Sequence, residues 1–217
     1  MTKCYLFVFL FFSSFAINAQ IKKQSILLGG QLFYYNNKSQ VENLNQKSES
    51  GTISISIGKA FKDNNILGIN LSFSPIRQSN YLNNGDTTSL AFNRFDIGMF
   101  YREYKKLAKD FYFFSQVDAS YVTANQTEHY KIASADVKAT QRGGFISLTP
   151  GISYQVFKKM QLEVTIPNIL SIQYLVTKFE NEVTQVKNSK QEQFLFYSNI
   201  NNNTGLGFLG VGFRFIL

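Results

Sequence analysis

The sequence has no tryptophan, and its 217 residues include only one cysteine, one histidine and three prolines. The cysteine, Cys4, falls within the first 20 residues, so the rest of the chain can form no disulfide and offers no thiol chemistry. One histidine without a second soft ligand argues against a transition-metal site. We therefore predict a chain without a cofactor.

Long hydrophobic runs are also missing. The longest uninterrupted apolar stretch, Cys4–Phe12, is shorter than the roughly 20 residues that a membrane-spanning helix needs. It follows Lys3 and precedes small residues, which is the order of a secretory signal peptide. We predict a signal peptide over residues 1–19 that is cleaved between Ala19 and Gln20, leaving one domain over residues 20–217. A transmembrane anchor is the alternative.

Charge of one sign is in excess but is not concentrated. The net charge is +8, yet the lysines and arginines are scattered among polar connections and form no basic stripe. An exported chain with this pattern is not expected to bind nucleic acid. The excess charge fits solvated loops, or a modest attraction to anionic lipid at a membrane surface.

The strongest positive feature is alternation at the C-terminal end. Leu209, Val211, Phe213, Phe215 and Leu217 alternate with glycines, an arginine and an isoleucine. A period of two residues predicts a strand with two different faces. No later segment of the sequence can cover the apolar face, which in water would promote aggregation. We therefore expect lipid to cover it.

Seven further segments share this period, and short turns alternate with long polar connections between them. The segments are Ser25–Tyr35, Gly51–Phe61, Ile66–Ile76, Ser89–Tyr104, Phe111–Thr123, Gly144–Phe157 and Gln161–Thr177. They predict an all-β fold, a transmembrane antiparallel up-and-down β-barrel with short periplasmic turns and long extracellular loops. The barrel has eight strands, or ten if Phe194–Ile200 pairs separately. Pro167 should occupy a bulge or a locally unpaired position.

A soluble all-β protein, such as a sandwich or a lipocalin-like barrel, is the alternative fold. Such a protein would turn its bulky apolar face inward and its polar face outward. Here one face carries mainly small and polar residues, and aromatic residues gather near the segment ends. Aromatic residues at both ends of the strands are typical of the interfacial girdles of membrane barrels.

Taken together, these segments and the Gly210–Leu217 terminus resemble the small outer-membrane β-barrel family of the OmpA and OmpX type. The resemblance implies a place in the outer membrane of a Gram-negative-type cell, with outer-membrane lipid, including lipopolysaccharide, around the barrel. It also implies that Phe213, Phe215 and Leu217 form a signal read by the outer-membrane assembly machinery, although the family more often ends in an aromatic residue. Adhesion, membrane integrity, immune evasion and occasional lipid chemistry are its known roles.

The inward faces supply a predicted polar cluster of six charged residues: Arg94, Asp96, Arg102, Asp118, Glu163 and Arg214. An eight-stranded barrel is just wide enough for side chains to fill it, and unpaired buried charges are costly. Opposite charges should therefore pair, with Glu163 as the candidate partner of Arg214. The cluster is either a structural plug or part of a gated pore or proton-linked site.

A hydrolytic site is the remaining hypothesis. His129, with Glu128 and Ser134 nearby in sequence, supplies a base, an acid and a hydroxyl, but no motif holds them together. We therefore predict a non-enzymatic barrel with a structural, envelope-integrity or surface-adhesion role, whose loops could meet a host or envelope partner. A narrow porin-like channel for small solutes and a lipid-modifying enzyme are the alternatives.

Overall fold

A computed structural model describes residues 21–41, 44–82, 87–130, 135–181, 189–198 and 209–217. The predicted signal peptide and its cleavage site at Ala19 and Gln20 lie outside these residues. None of the described residues forms a helix long and apolar enough to span a membrane. The strands are β1 Ile26–Val41, β2 Leu44–Lys62, β3 Asn65–Leu82, β4 Thr87–Lys106, β5 Phe111–Tyr130, β6 Ala135–Phe157, β7 Met160–Thr165, β8 Leu170–Asn181, β9 Ser189–Ser198 and β10 Gly210–Ile216.

The strands form one antiparallel sheet that closes on itself. Strands β1 to β7 pair in chain order, β7 pairs with β10, and β10 pairs with β1. Eight strands therefore close the ring. β8 pairs with β6 beyond the end of β7, and β9 pairs with β8, which brings the total to ten. The predicted up-and-down barrel is confirmed, and so is the pairing of the C-terminal strand with the first and seventh segments.

The predicted seventh segment is interrupted between β7 and β8. Pro167 lies in the interruption and has no backbone N–H to give to a neighbouring strand. Asn168 has a φ of 52°, in the left-handed region that asparagine tolerates better than most residues. The amides of Ile166 and Ile169 still donate to carbonyls of β6 at 3.0 and 2.9 Å. The interruption thus stays attached to β6, and the prediction for Pro167 is confirmed.

The long connections differ from the irregular loops that we expected. The stretch 36–50, for example, continues β1 and β2, which stay paired from Tyr35 opposite Ser50 to Val41 opposite Leu44. The backbone ladder continues here, but neither face of these extensions carries an apolar row. Alternation of apolar residues reports a face that is buried or lipid-covered, so it cannot detect strands that are polar on both sides.

The ring is apolar outside and polar inside. On β2, Ile53, Ile55 and Ile57 point outward and are 53, 58 and 48% exposed, whereas Ser54 and Ser56 point inward. Each of the eight ring strands adds to this apolar belt, with Leu32, Ile55, Ile69, Ile97, Val117, Ile146, Val164 and Val211 among its members. A soluble barrel has the opposite arrangement, and lipid covers such a belt in membrane barrels.

The end of the barrel that holds the tight turns is closed by an apolar cluster. Its members are Ile21, Leu27, Ala60, Ile66, Phe100, Tyr104, Tyr112 and Phe114, each at most 4% exposed. Ile21 is held beneath the ring because its amide donates to Asn64 Oδ1 at 3.2 Å and its carbonyl accepts from Asn64 N at 2.9 Å. In the predicted orientation, this closed end faces the periplasm.

Candidate functional site in the barrel lumen

A buried charged network lies directly above the apolar cluster. Arg102 on β4, Glu163 on β7 and Arg214 on β10 point inward from different parts of the wall and are 1, 1 and 3% exposed. Arg102 Nη1 lies 2.7 Å from Glu163 Oε1, and Arg214 Nε lies 3.0 Å from Glu163 Oε2. One carboxylate therefore joins two guanidinium groups across the lumen, and the expected contact between Glu163 and Arg214 is present.

Polar neighbours complete the network. Tyr104 Oη accepts from Arg102 Nη1 at 2.8 Å and donates to Glu163 Oε1 at 2.9 Å. Gln116 Oε1 accepts from Arg102 Nε at 2.7 Å, and Gln116 Nε2 donates to Asp118 Oδ1 at 2.8 Å. Two arginines and two carboxylates balance in formal charge. This arrangement supplies the partners that buried charges require.

Aromatic rings hold the Arg102 guanidinium from the closed end. Its Cζ atom lies 4.3 Å from the centre of the Phe114 ring, 5.6 Å from that of Tyr104 and 5.9 Å from that of Phe100. Contacts of this kind stabilise a desolvated cation by about 2 kcal/mol or more. The side chain thus has little freedom to leave the middle of the lumen.

Glycine on the facing strand makes room for Arg214. A Cβ atom added at Gly29, which lies opposite Arg214 on β1, would collide with the Arg214 side chain and come within 2.6 Å of the Phe213 carbonyl oxygen. Arg214 Nη1 reaches past this position to donate to Ser56 Oγ at 2.7 Å. The absence of a side chain at Gly29 therefore lets Arg214 cross the lumen.

The other two predicted residues form a separate pair nearer the opposite end. Arg94 Nε lies 2.7 Å from Asp96 Oδ1, and Ser72 Oγ donates to Asp96 Oδ2 at 3.1 Å. The Arg94 guanidinium also lies 4.9 Å above the Phe145 ring. All six predicted residues point into the lumen, but the pair of Arg94 and Asp96 is more exposed to solvent than the central network.

A polar cavity of about 300 Å³ lies above the central network. Hydroxyl and amide side chains dominate its lining, among them Gln31, Ser54, Ser56, Asn70, Ser72, Gln116, Ser120, Ser147 and Thr149. Arg214 is part of its floor, and Arg94 and Asp96 lie in its wall. The lumen is therefore closed at one end and holds a polar chamber on the other side of the closure.

Tyr104 and Gln116 were not among the residues singled out from the sequence. The two-residue period places both on inward faces, but it does not say which neutral polar side chains reach a charged partner. The lengths of the strands between the lumen and the turns decide that, because they set which residues share a level. Counting the inward positions from each tight turn would have brought Arg102 and Gln116 opposite each other.

The residues considered for hydrolysis are not assembled into a site. His129 is exposed on β5, and Glu128 precedes it directly, so the two side chains point to opposite faces of the strand. Ser134 lies outside the described residues. The predicted assembly signal is on the lipid-facing side: Phe213, Phe215 and Leu217 are 43, 39 and 62% exposed. Its recognition by an assembly machinery stays a prediction.

Comparison with known proteins gives structural matches only. No protein-family model matches the chain, and no curated protein matches its sequence. Among solved structures, Neisserial surface protein A has 11% identity, covers 88% of this chain and 96% of its own, and gives a TM-score of 0.43. A major outer membrane protein from Thermus thermophilus has 8% identity, coverages of 89 and 99%, and a TM-score of 0.49. Outer membrane protease OmpT from Escherichia coli has 9% identity, coverages of 89 and 91%, and a TM-score of 0.41.

These similarities concern the course of the chain, and their TM-scores below 0.5 carry no argument about function. The physical pattern of the wall is decisive. An antiparallel ring leaves no free edge within its eight strands, an apolar belt surrounds it, and charged side chains lie inside. Only a lipid environment makes this distribution favourable. The chain is therefore a transmembrane β-barrel of the outer-membrane type.

Proposed function

We propose that this protein is a non-enzymatic outer-membrane barrel with a structural role in envelope integrity or in surface adhesion. The closed lumen carries the proposal. The central network and the apolar cluster below it fill the ring with side chains that are almost fully buried. A solute that passed through would have to separate Arg102 and Arg214 from Glu163, and breaking a buried ion pair costs about 3–5 kcal/mol.

The extended hairpins suit contact with other molecules. β4 and β5, for example, remain paired from Phe95 opposite Thr123 to Thr88 opposite Tyr130, beyond the apolar belt. Paired strands present a fixed polar surface instead of a fluctuating loop. We propose that these hairpins face outward from the cell and meet a host or envelope partner, while lipid, including lipopolysaccharide, surrounds the belt.

Planar-bilayer recordings test the closed lumen directly. Wild-type protein should give no reproducible conductance, because the network blocks the path. A variant that combines Arg102→Ser, Glu163→Ser and Arg214→Ser should conduct if it still inserts, since it replaces the crossing side chains with short ones. Arg94→Ser is a matched control that removes a lumen charge away from the closure, and it should stay silent. Reproducible conductance from wild-type protein would contradict the proposal.

A narrow channel for small solutes is the second candidate, and the polar cavity of about 300 Å³ favours it. This function requires the central network to move. A channel therefore predicts brief wild-type openings that become rarer when Arg102 and Glu163 are tethered, for instance through a cysteine pair at these positions. Wild-type silence under all voltages used would exclude this candidate.

The absence of enzymatic activity is tested with lipid. Purified protein incubated with phospholipid and lipopolysaccharide should release no fatty acid and transfer none. Any product that disappears with His129→Ala would overturn this part of the proposal, and the folded state of that variant is checked by its heat-dependent gel mobility.

A further inference from the structure

The barrel wall contains a discontinuity beside the polar cavity. Pairing between β1 and β10 ends at Leu32 opposite Val211, and pairing between β10 and β7 ends at Gly210 opposite Thr165. The interruption at Pro167 and Asn168 lies at the same height. Within the described ranges, the part of β1 beyond Leu32 pairs only with β2. Three elements of the wall therefore stop at one place.

A pocket of about 200 Å³ occupies this place. Its lining is Gln31, Phe33, Thr52, Ser54, Pro167, Asn168 and Gly210. All of these except Gly210 also line the large lumen cavity, so the two spaces are continuous. The side chains of Gln31, Thr52, Ser54 and Asn168 give the pocket hydroxyl and amide groups. Asn168 is fixed there because its amide donates to Thr149 Oγ1 at 3.2 Å.

On the lipid side of the same wall lies an apolar hollow of about 570 Å³. Leu32, Tyr34, Ile53, Phe73, Pro75, Leu209 and Val211 contribute to it. Phe33 and Thr52 line both this hollow and the inner pocket. Phe33 therefore stands between a polar space inside the barrel and an apolar space that faces acyl chains.

The charges of the inner space are already compensated within the protein. Arg94 is paired with Asp96 and Arg214 with Glu163, at 2.7 and 3.0 Å. Asp118 accepts from Asn70 Nδ2 at 2.6 Å. An ionic head group would have to compete with these contacts and would lose its own hydration. A neutral head group that carries hydroxyl groups can instead exchange hydrogen bonds with the serine, threonine, asparagine and glutamine side chains, which both donate and accept.

From this juxtaposition we infer that the wall holds a binding site for an amphiphile with a neutral, hydroxyl-bearing head group. The head group lies in the inner pocket at Gln31, Ser54 and Asn168, and the hydrocarbon chain leaves past Phe33 into the outer hollow. A glycosyl head group has this chemistry. The inner cavity is at the lower end of the size of small-molecule sites, which suits one or two sugar rings. The site depends on the barrel lying in a membrane but not on whether the lumen conducts.

Photolabelling of the full chain in phosphatidylethanolamine nanodiscs tests this inference. The probe is dodecyl maltoside with a diazirine on its terminal sugar, and the labelled peptides are identified by mass spectrometry. Labels should concentrate on the peptides that contain Ser54 and Asn168. Dodecyl probes with a phosphate or a trimethylammonium head group should label these peptides about tenfold less, which corresponds to about 1.4 kcal/mol in binding.

Two variants and a control make the test specific. Ser54→Phe fills the inner pocket and should lower maltoside labelling about tenfold, whereas Ile57→Phe, on the outward face of the same strand, should not change it. Asn168→Gly removes the amide side chain but keeps a backbone that accepts a φ of 52°, so it remains informative if Ser54→Phe does not fold. Equal labelling by all three head groups, or labelling unaffected by both pocket variants, would overturn the inference.

Discussion

At the scale of single residues, Glu163 holds the closure together because, among the described residues, its carboxylate forms ion pairs with both Arg102 and Arg214. Glu163→Gln should leave two buried guanidinium groups without their shared counter-charge and lower the free energy of unfolding by about 3–5 kcal/mol. Urea-induced unfolding in lipid vesicles measures this difference. Glu49→Gln is the control: its partner Lys47 lies 2.6 Å away, but both side chains are exposed, so the change should cost at most about 1 kcal/mol.

Gly29 is a second residue on which the closure depends. Gly29→Ala should push Arg214 off its path and cost about 1–3 kcal/mol through overpacking. Gly144→Ala is a matched control, because a Cβ atom there meets nothing within 4 Å. The two variants are compared by their unfolding midpoints in urea. Equal midpoints for both would show that Arg214 does not need the space at Gly29.

At the scale of single strands, β2 separates a lipid-facing segment from a polar extension. Ile55→Arg places a charge within the apolar belt and should destabilise the barrel by about 2–4 kcal/mol in a bilayer. Asn45→Arg, on an exposed position of the same strand beyond the belt, should change stability by less than about 1 kcal/mol. Folding titrations in vesicles distinguish the two. A cost at Asn45 as large as that at Ile55 would place the membrane boundary wrongly.

The strands also show what periodicity can and cannot predict. The alternation in Gly51–Phe61 and Leu209–Leu217 predicts both the strands and their faces, because lipid on one side and the lumen on the other impose different residue types. The paired extensions, such as Asn36–Val41 with Leu44–Ser50, have similar surroundings on both faces. Their sequence therefore carries no period, and only the backbone ladder reveals them.

The lumen was predictable in kind but not in detail. The inward period identified Arg102, Glu163 and Arg214 as neighbours in the interior, and the order of strands β7 and β10 suggested the contact of Glu163 with Arg214. It could not show that Tyr104 and Gln116 bind the same network. Those contacts depend on side-chain reach across the lumen, which is a property of the closed ring and not of any one strand.

At the scale of the whole molecule, the barrel is closed at one end and polar on the other side of the closure. The apolar cluster around Ile21 and Phe114 and the network around Glu163 act in series. Removal of one should therefore leave the other as a barrier. We expect Glu163→Gln alone to give no steady conductance in planar bilayers, in contrast to the triple serine variant. Steady conductance from Glu163→Gln would show that the charged network is the sole barrier.

The account as a whole depends on lipid facing one side of the wall and the lumen facing the other. Cys4 is the only cysteine, so a Cys4→Ser background allows single cysteines to be placed at Thr52, Ile53, Ser54, Ile55 and Ile57 and labelled with bimane. In vesicles that contain brominated lipid, fluorescence should be quenched at the three isoleucine positions and preserved at Thr52 and Ser54. Quenching at Ser54 with none at Ile55 would mean that the wall faces the other way, and the membrane barrel would be contradicted.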